Sequence, residues 1–212
     1  MMLQMMCTQN DFFIDHLMVE VNDPPQSAND VIEQLGLPLA WSLIETDAYT
    51  SVGVNLGDLN IEFINFNIRF GTKGKKFNGF SGIAFNTEHS VSESINVLNA
   101  MNLHYRIGEE AQAHTTITVE EENIFPTLFF VKYHFDTSGW SKRLKNEFAD
   151  CSGGKYQIGR LKSLSIAQKI SKEIANKFQI DCNEKNRIEF ESRTNESIVV
   201  DGLIEGLEIA II

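Results

Sequence analysis

Two ionisable side chains early in the chain are placed where chemistry could be done. Over Phe13–Val21 the side chains alternate: Phe13, Leu17, Val19 and Val21 share one parity, and His16, Met18 and Glu20 share the other. That is the pattern of a half-buried strand with an apolar back and a polar front. Glu62 stands between Ile61 and Phe63 in a second apolar run, Leu59–Phe66. A carboxylate there must face a solvated cavity or a partner, because burying an isolated charge is expensive. Imidazole and carboxylate are donor types that iron, manganese, nickel and zinc accept. The plainer reading of His16 is a strand histidine satisfied by a neighbouring carboxylate or water.

Further polar groups fall on suitable parities. Tyr49, Ser51 and Asn55 share one face of the run Tyr49–Leu56 and could hydrogen-bond a ligand. Gly82 and Ala84, with Ser163 and Ser165, put small side chains on the polar parity of two later strands and leave volume there. Trp41 reads equally as a cavity wall or as core. The basic run Gly71-Thr72-Lys73-Gly74-Lys75-Lys76 lacks phosphate-loop spacing and reads as an intermodule loop. Cys151 beside glycines has no paired histidine or helix start to activate it.

The elements that must position these groups repeat. A strand at Phe13–Val21 is followed by Asn22-Asp23-Pro24-Pro25, a cap with prolines for a first helical turn. Ala28, Val31, Ile32 and Leu35 then recur at helical spacing before Gly36. Strands are expected at Trp41–Glu45, Tyr49–Leu56 and Leu59–Phe66. The order restarts at Phe80–Asn86, with a capping box at Ser90-Val91-Ser92-Glu93 and strands at Thr115–Val119 and Leu128–Tyr133. A third start lies at Leu161–Ala167, followed by a helix carrying Ile170, Ile174 and Phe178. Strands Arg187–Glu191, Ser197–Val200 and Leu207–Ile211 close it. The predicted layout is a leader (1–10), a βαβββ module (11–70), an abbreviated second module (77–137), a connector (138–157) and a third βαβββ module (158–212).

Composition narrows the function classes. With 42% hydrophobic and 22% charged residues over 212 positions, the chain is an ordinary globular sequence with ample core, and the order of its expected elements makes it α+β. A net charge of −11 opposes nucleic-acid phosphate and anionic lipid, so neither is an expected partner. Cys7, Cys151 and Cys182 are too few and scattered for a disulfide framework or zinc knuckle. With no signal-like N-terminus and no apolar run of membrane length, a cytoplasmic protein is expected.

Repeated βαβββ units resemble the vicinal oxygen chelate superfamily, which contains glyoxalase I, extradiol dioxygenases and bleomycin-resistance proteins. The residues that carry the resemblance are Ile14-Asp15-His16-Leu17, Leu59-Asn60-Ile61-Glu62-Phe63 and Phe125-Pro126-Thr127-Leu128-Phe129-Phe130; Asp150-Cys151-Ser152-Gly153 stands where that group has a His-Pro-Asn-Gly bend. The resemblance implies a curved mixed sheet around a cup, with helices on its outer face. It also implies a divalent metal (iron, manganese, nickel or zinc) that chelates neighbouring substrate oxygens.

His16 and Glu62 match one module's ligand pair, and Glu208 matches Glu62 in the third module, as a ligand or as a catalytic base. Gly82 and Ser163 fall where His16 stands in the first module, so the ligand set is incomplete. The second module offers Phe130 at the Glu62 position, with Lys132 and His134 further along, His134 being a candidate substitute ligand. Tyr49, Ser51, Asn55, Lys132, His134 and Ser163 are the expected substrate contacts. The expected function is a metal-dependent lyase, isomerase or dioxygenase acting on a small oxygenated metabolite. The alternative is a metal-free small-molecule binder of the bleomycin-resistance type. Open strand edges would also allow a homodimer.

Overall fold

A computed structural model describes residues 12–108, 113–121, 123–194 and 196–212; the expected leader lies outside them. The first segment is β1 (Phe12–Glu20), α1 (Pro24–Leu35), β2 (Leu39–Glu45), β3 (Tyr49–Asn55) and β4 (Asn60–Phe66). Asp23 caps α1 by accepting from the Gln26 amide, and Gly36 ends it at φ +71, the left-handed geometry glycine tolerates. A small hairpin, β5 (Ile68–Arg69) and β6 (Thr72–Lys73), precedes the second segment. That segment is β7 (Gly79–Thr87), α2 (Val91–Ala100), β8 (Tyr105–Ile107), β9 (His114–Val119) and β10 (Thr127–Tyr133). The capping box at the start of α2 is formed reciprocally by Ser90 and Glu93.

These two segments build one eight-stranded sheet in the order β2-β3-β4-β1-β7-β10-β9-β8. The order reads the same from either edge once β1 is exchanged for β7 and β4 for β10. In the middle, β1 and β7 run antiparallel with Leu17 opposite Ile83, flanked by His16–Ala84 and Met18–Gly82 pairs. Beside them, β4 pairs parallel with β1 and β10 parallel with β7. The sheet is therefore a pseudo-twofold pair of βαβββ units, and the expected α+β class with a curved mixed sheet holds.

The span expected as a connector carries a helix, α3 (Ser138–Asp150), followed by a single 3-10 turn at Gly154–Tyr156. Leu144 and Phe148, four residues apart, bury its inner side. The last segment is β11 (Ile158–Ile166), α4 (Lys172–Phe178), β12 (Asp181–Cys182), β13 (Arg187–Ser192), β14 (Ile198–Ile204) and β15 (Leu207–Ile211). Its five strands order as β12-β11-β13-β15-β14. The opening strand β11 thus pairs antiparallel with β13 and not with the closing strand, unlike β1 with β4.

The core lies between the two sheets. Leu17, Val19, Ile61, Phe63, Leu128 and Phe130 from the large sheet share one buried cluster with Leu164, Ile166, Ile188, Phe190 and Ile209. Phe178 of α4 packs against Phe12, Phe85 and Phe130 at ring-centroid distances of 5.6, 5.2 and 5.4 Å. The opposite face of the large sheet is left free to form a cup. Among the described residues, no helix is long and apolar enough to cross a membrane.

Candidate functional site

A β-bulge aims the first two groups. Ile14 pairs with Phe85 and His16 with the adjacent Ala84, so Asp15 is the inserted residue. The parity on either side of it is therefore offset. Phe12, not Phe13, lies in the core: Phe12 is 2% exposed and Phe13 is 54% exposed. Beyond the bulge the expected parity holds, with Leu17 and Val19 in the core and His16 and Met18 on the cup.

His16 is buried and held at both ring nitrogens. Its Nδ1 lies 2.8 Å from Asp15 Oδ2, and its Nε2 lies 3.3 Å from Glu62 Oε2. Glu62 Oε1 accepts from Ser51 Oγ at 2.7 Å, and Ser51 in turn accepts from Trp41 Nε1 at 3.0 Å. Asp15 Oδ2 also accepts from the Tyr133 hydroxyl at 2.9 Å. One polar chain therefore crosses β2, β3, β4, β1 and β10.

Burial alone would lower the His16 pKa, but hydrogen bonds to Asp15 and Glu62, and their charges, outweigh it and hold it up to about 10. Burial and then the Asp15 charge push the Tyr133 phenol well up. Tyr49 is raised by burial and by the Glu62 charge. His114 is lowered, chiefly by burial, and is a neutral imidazole at neutral pH.

Above this chain is a cavity of about 600 Å³. Its walls include Trp41, Tyr49, Phe66, Phe129, Tyr133 and Trp140, with Ile68, Phe70 and Arg106 toward the hairpin side. Trp41 lies across Gly53, its cross-strand partner; a Cβ at Gly53 would stand 2.4 Å from the indole ring. Trp140, from the first turn of α3, packs edge-to-face on Trp41 and Tyr133 at 6.3 and 5.8 Å. Among the described residues, the lining falls between His16 and Trp140 and comes from the first two segments and the start of α3.

Four of the sequence-predicted site residues meet here: His16, Glu62, Tyr49 and Ser51. The other expected contacts are engaged elsewhere. Asn55 is fully buried, donating from Nδ2 to the Leu144 carbonyl at 2.8 Å and accepting from the Gly57 amide, so it fastens α3 to the sheet. Lys132 donates to the carbonyls of Thr87 and Glu88. His134 Nε2 pairs with Thr115 Oγ1 at 2.9 Å. Ser163 donates to Glu189 in the five-stranded sheet.

Glu208 is in that same sheet, paired with Arg187 at 2.9 Å and Lys185 at 3.4 Å. The third segment packs against the back of the large sheet, which turns its polar parity away from the cup. Glu208 and Ser163 therefore do not join His16 and Glu62.

The pseudo-twofold relation tests the metal expectation. It carries His16 onto Gly82 and, through the β4–β1 and β10–β7 registers, Glu62 onto Phe129. Phe130, expected at that place, is one residue off and lies in the core. Contrary to the expectation that Gly82 leaves volume, the space there is filled: a Cβ would meet Met18 Cε at 2.7 Å and Phe129 Cε1 at 3.0 Å. The phenyl ring occupies the side where a second pair of donors would stand. Among the described residues, no group of three or more His, Cys, Asp or Glu side chains is arranged to hold a metal. Among the described residues, the donor set does not fit a resident metal.

No protein-family model matches the sequence, and no curated protein matches it. Solved structures do. A hypothetical protein from Staphylococcus aureus superposes with a TM-score of 0.62 at 10% identity, covering 95% of this chain and 99% of that one. An extradiol ring-cleaving dioxygenase from B. fuscum gives 0.58 at 10% identity, covering 96% and 72%. Methylmalonyl-CoA epimerase from Mycobacterium tuberculosis gives 0.51 at 11% identity, covering 64% and 97%. The epimerase and the dioxygenase are both vicinal oxygen chelate proteins. This chain has the vicinal oxygen chelate fold. Within that fold, identities of this size describe backbone architecture and leave activity to be argued from the cup.

Sequence reasoning missed Asp15, Phe129, Tyr133, His114 and Trp140 as cup or network residues. Strict alternation puts Asp15 on the apolar parity, and only the bulge brings it beside His16. Phe129 and Tyr133 alternate with the apolar Leu128 and Phe130, so period two was present but was assigned to the wrong face.

Proposed function

We propose that this chain is a metal-independent small-molecule-binding protein built on a vicinal oxygen chelate fold. The observation that carries the reading is the Phe129 ring packed over Gly82, on the side of the cup symmetric to His16 and Glu62. A lyase, isomerase or dioxygenase centre of the metal-dependent kind would need donors there. Instead the cup offers aromatic walls above one buried polar chain. A cavity of about 600 Å³ is in the range that encloses a small organic ligand. Burial of apolar ligand surface against such walls supplies affinity at roughly 25 cal/mol per Å² before the costs of association.

The test is metal analysis of protein purified without a histidine tag, with thermal melts in manganese, iron, nickel or zinc. The expected result is no stoichiometric metal and no metal-induced stabilisation, together with stabilisation by members of a metabolite panel that survives chelator. One equivalent of metal, lost in His16→Ala, would instead support the metal-dependent enzyme.

A further inference from the structure

The polar groups of the cup are unevenly spent. The donors of the polar chain itself are committed: Trp41 to Ser51, Ser51 to Glu62, Tyr133 to Asp15, and both His16 nitrogens to carboxylates. Arg106, at the hairpin side, is paired through Nε with Glu120 at 2.7 Å. The acceptors are not used up. A carboxylate has roughly four acceptor positions, and Glu62 fills two of them, with Ser51 and His16.

Charge points the same way. Asp15 and Glu62 place two negative charges against one imidazolium, and a neutral His16 would leave the floor more negative still. His114 adds no positive charge at neutral pH. The walls are aromatic, and the π faces of such rings attract cations and not anions. The whole chain, at −11, concentrates cations around it.

We infer that the ligand of this cup is a flat aromatic cation, its ring system held among Trp41, Phe129, Tyr133 and Trp140 and its charged N–H group directed at Glu62. This inference rests on the small-molecule-binding reading above and names the ligand class. A neutral aromatic would gain the ring contacts and leave the carboxylate's acceptor positions to water. An aromatic carboxylate would meet Glu62 as a like charge and find the donors beside it already engaged.

The experiment is calorimetric titration of the full chain with three matched probes at neutral pH: an aminoacridinium cation, neutral acridine and an acridine carboxylate. Trp41 and Trp140 are the chain's two tryptophans and both line the cup, so quenching of intrinsic fluorescence locates the binding. The cation is expected to bind at least roughly tenfold tighter than acridine, with the carboxylate weakest. Glu62→Gln is expected to lower the cation's affinity more than acridine's. Should that variant fail to fold, ionic strength replaces it: added salt must weaken the cation and spare acridine. Acridine or its carboxylate binding as tightly as the cation overturns the ligand class and leaves the binding function standing. No quenching and no heat from any of the three overturns both.

Discussion

His16 is held at both ring nitrogens by a carboxylate, so folding gives it a proton affinity that the unfolded chain lacks. Its pKa rises from 6.5 to about 10 on folding. The folded state therefore keeps a proton that the unfolded state releases, and unfolding is disfavoured most below the lower value. Stability from this group is fully present below about pH 6.5 and is lost as pH climbs towards 10. Denaturant melts across that window should show a falling midpoint for the native protein and a flatter profile for His16→Gln; equal slopes would contradict the assignment. At Tyr133 the hydroxyl donates to Asp15. Tyr133→Phe removes a bond to a charged acceptor and is expected to cost about 2 kcal/mol in urea unfolding. The sequence disclosed His16 and Glu62 because each is an ionisable group on the polar parity of an otherwise apolar strand. It hid Asp15 and Tyr133, since no local pattern announces an inserted residue or a partner more than a hundred positions away.

Among the elements, β3 shows how one strand face serves two tasks. Ser51 and Asn55 share a parity, as expected, but Ser51 orients Glu62 while Asn55 holds the α3 carbonyl of Leu144. Asn55→Ala leaves the Gly57 amide without its partner and removes the tie from β3 to the Leu144 carbonyl of α3, so a loss of about 1–3 kcal/mol is expected in denaturant titration. Tryptophan emission should shift red as α3 loosens around Trp140.

Gly53 is the place where Trp41 crosses the sheet, and a methyl group there meets the ring at 2.4 Å. Gly53→Ala should displace the indole, cost about 1–3 kcal/mol through overpacking and weaken ligand binding in titration. Strand and helix positions were largely legible from period and caps. The helix α3 lies within the span expected as a connector: the glycines at 153 and 154 mark a bend, but Trp140, Leu144 and Phe148 ahead of them stand at helical spacing.

For the whole molecule, the repeat of strand, helix and strands was readable, but the wiring of the third segment was not. Its element order follows the pattern, while β13 inserts between β11 and β15. Sequence order cannot reveal which strand edges meet, because pairing is settled by the shared core. That core also explains why Ser163 and Glu208, on the expected parity, face away from the cup: the segment's apolar side is drawn to the back of the large sheet. A double substitution giving His at Gly82 and Glu at Phe129 would restore the missing donor types only if Met18 also shrinks, given its 2.7 Å approach. The pair without Met18→Ala is expected to fold poorly and bind no metal, as read by circular dichroism and metal analysis.

The palindromic strand order has an outcome for any guest. Backbone symmetry alone would admit a molecule equally in two orientations related by half a turn about the axis between Leu17 and Ile83. The side chains break that equivalence, since one wall carries an acid–imidazole pair and its mirror carries a phenyl ring over bare glycine. A guest with a polar end and a greasy end would thus meet two different walls, and the duplicated scaffold offers it a handed mould.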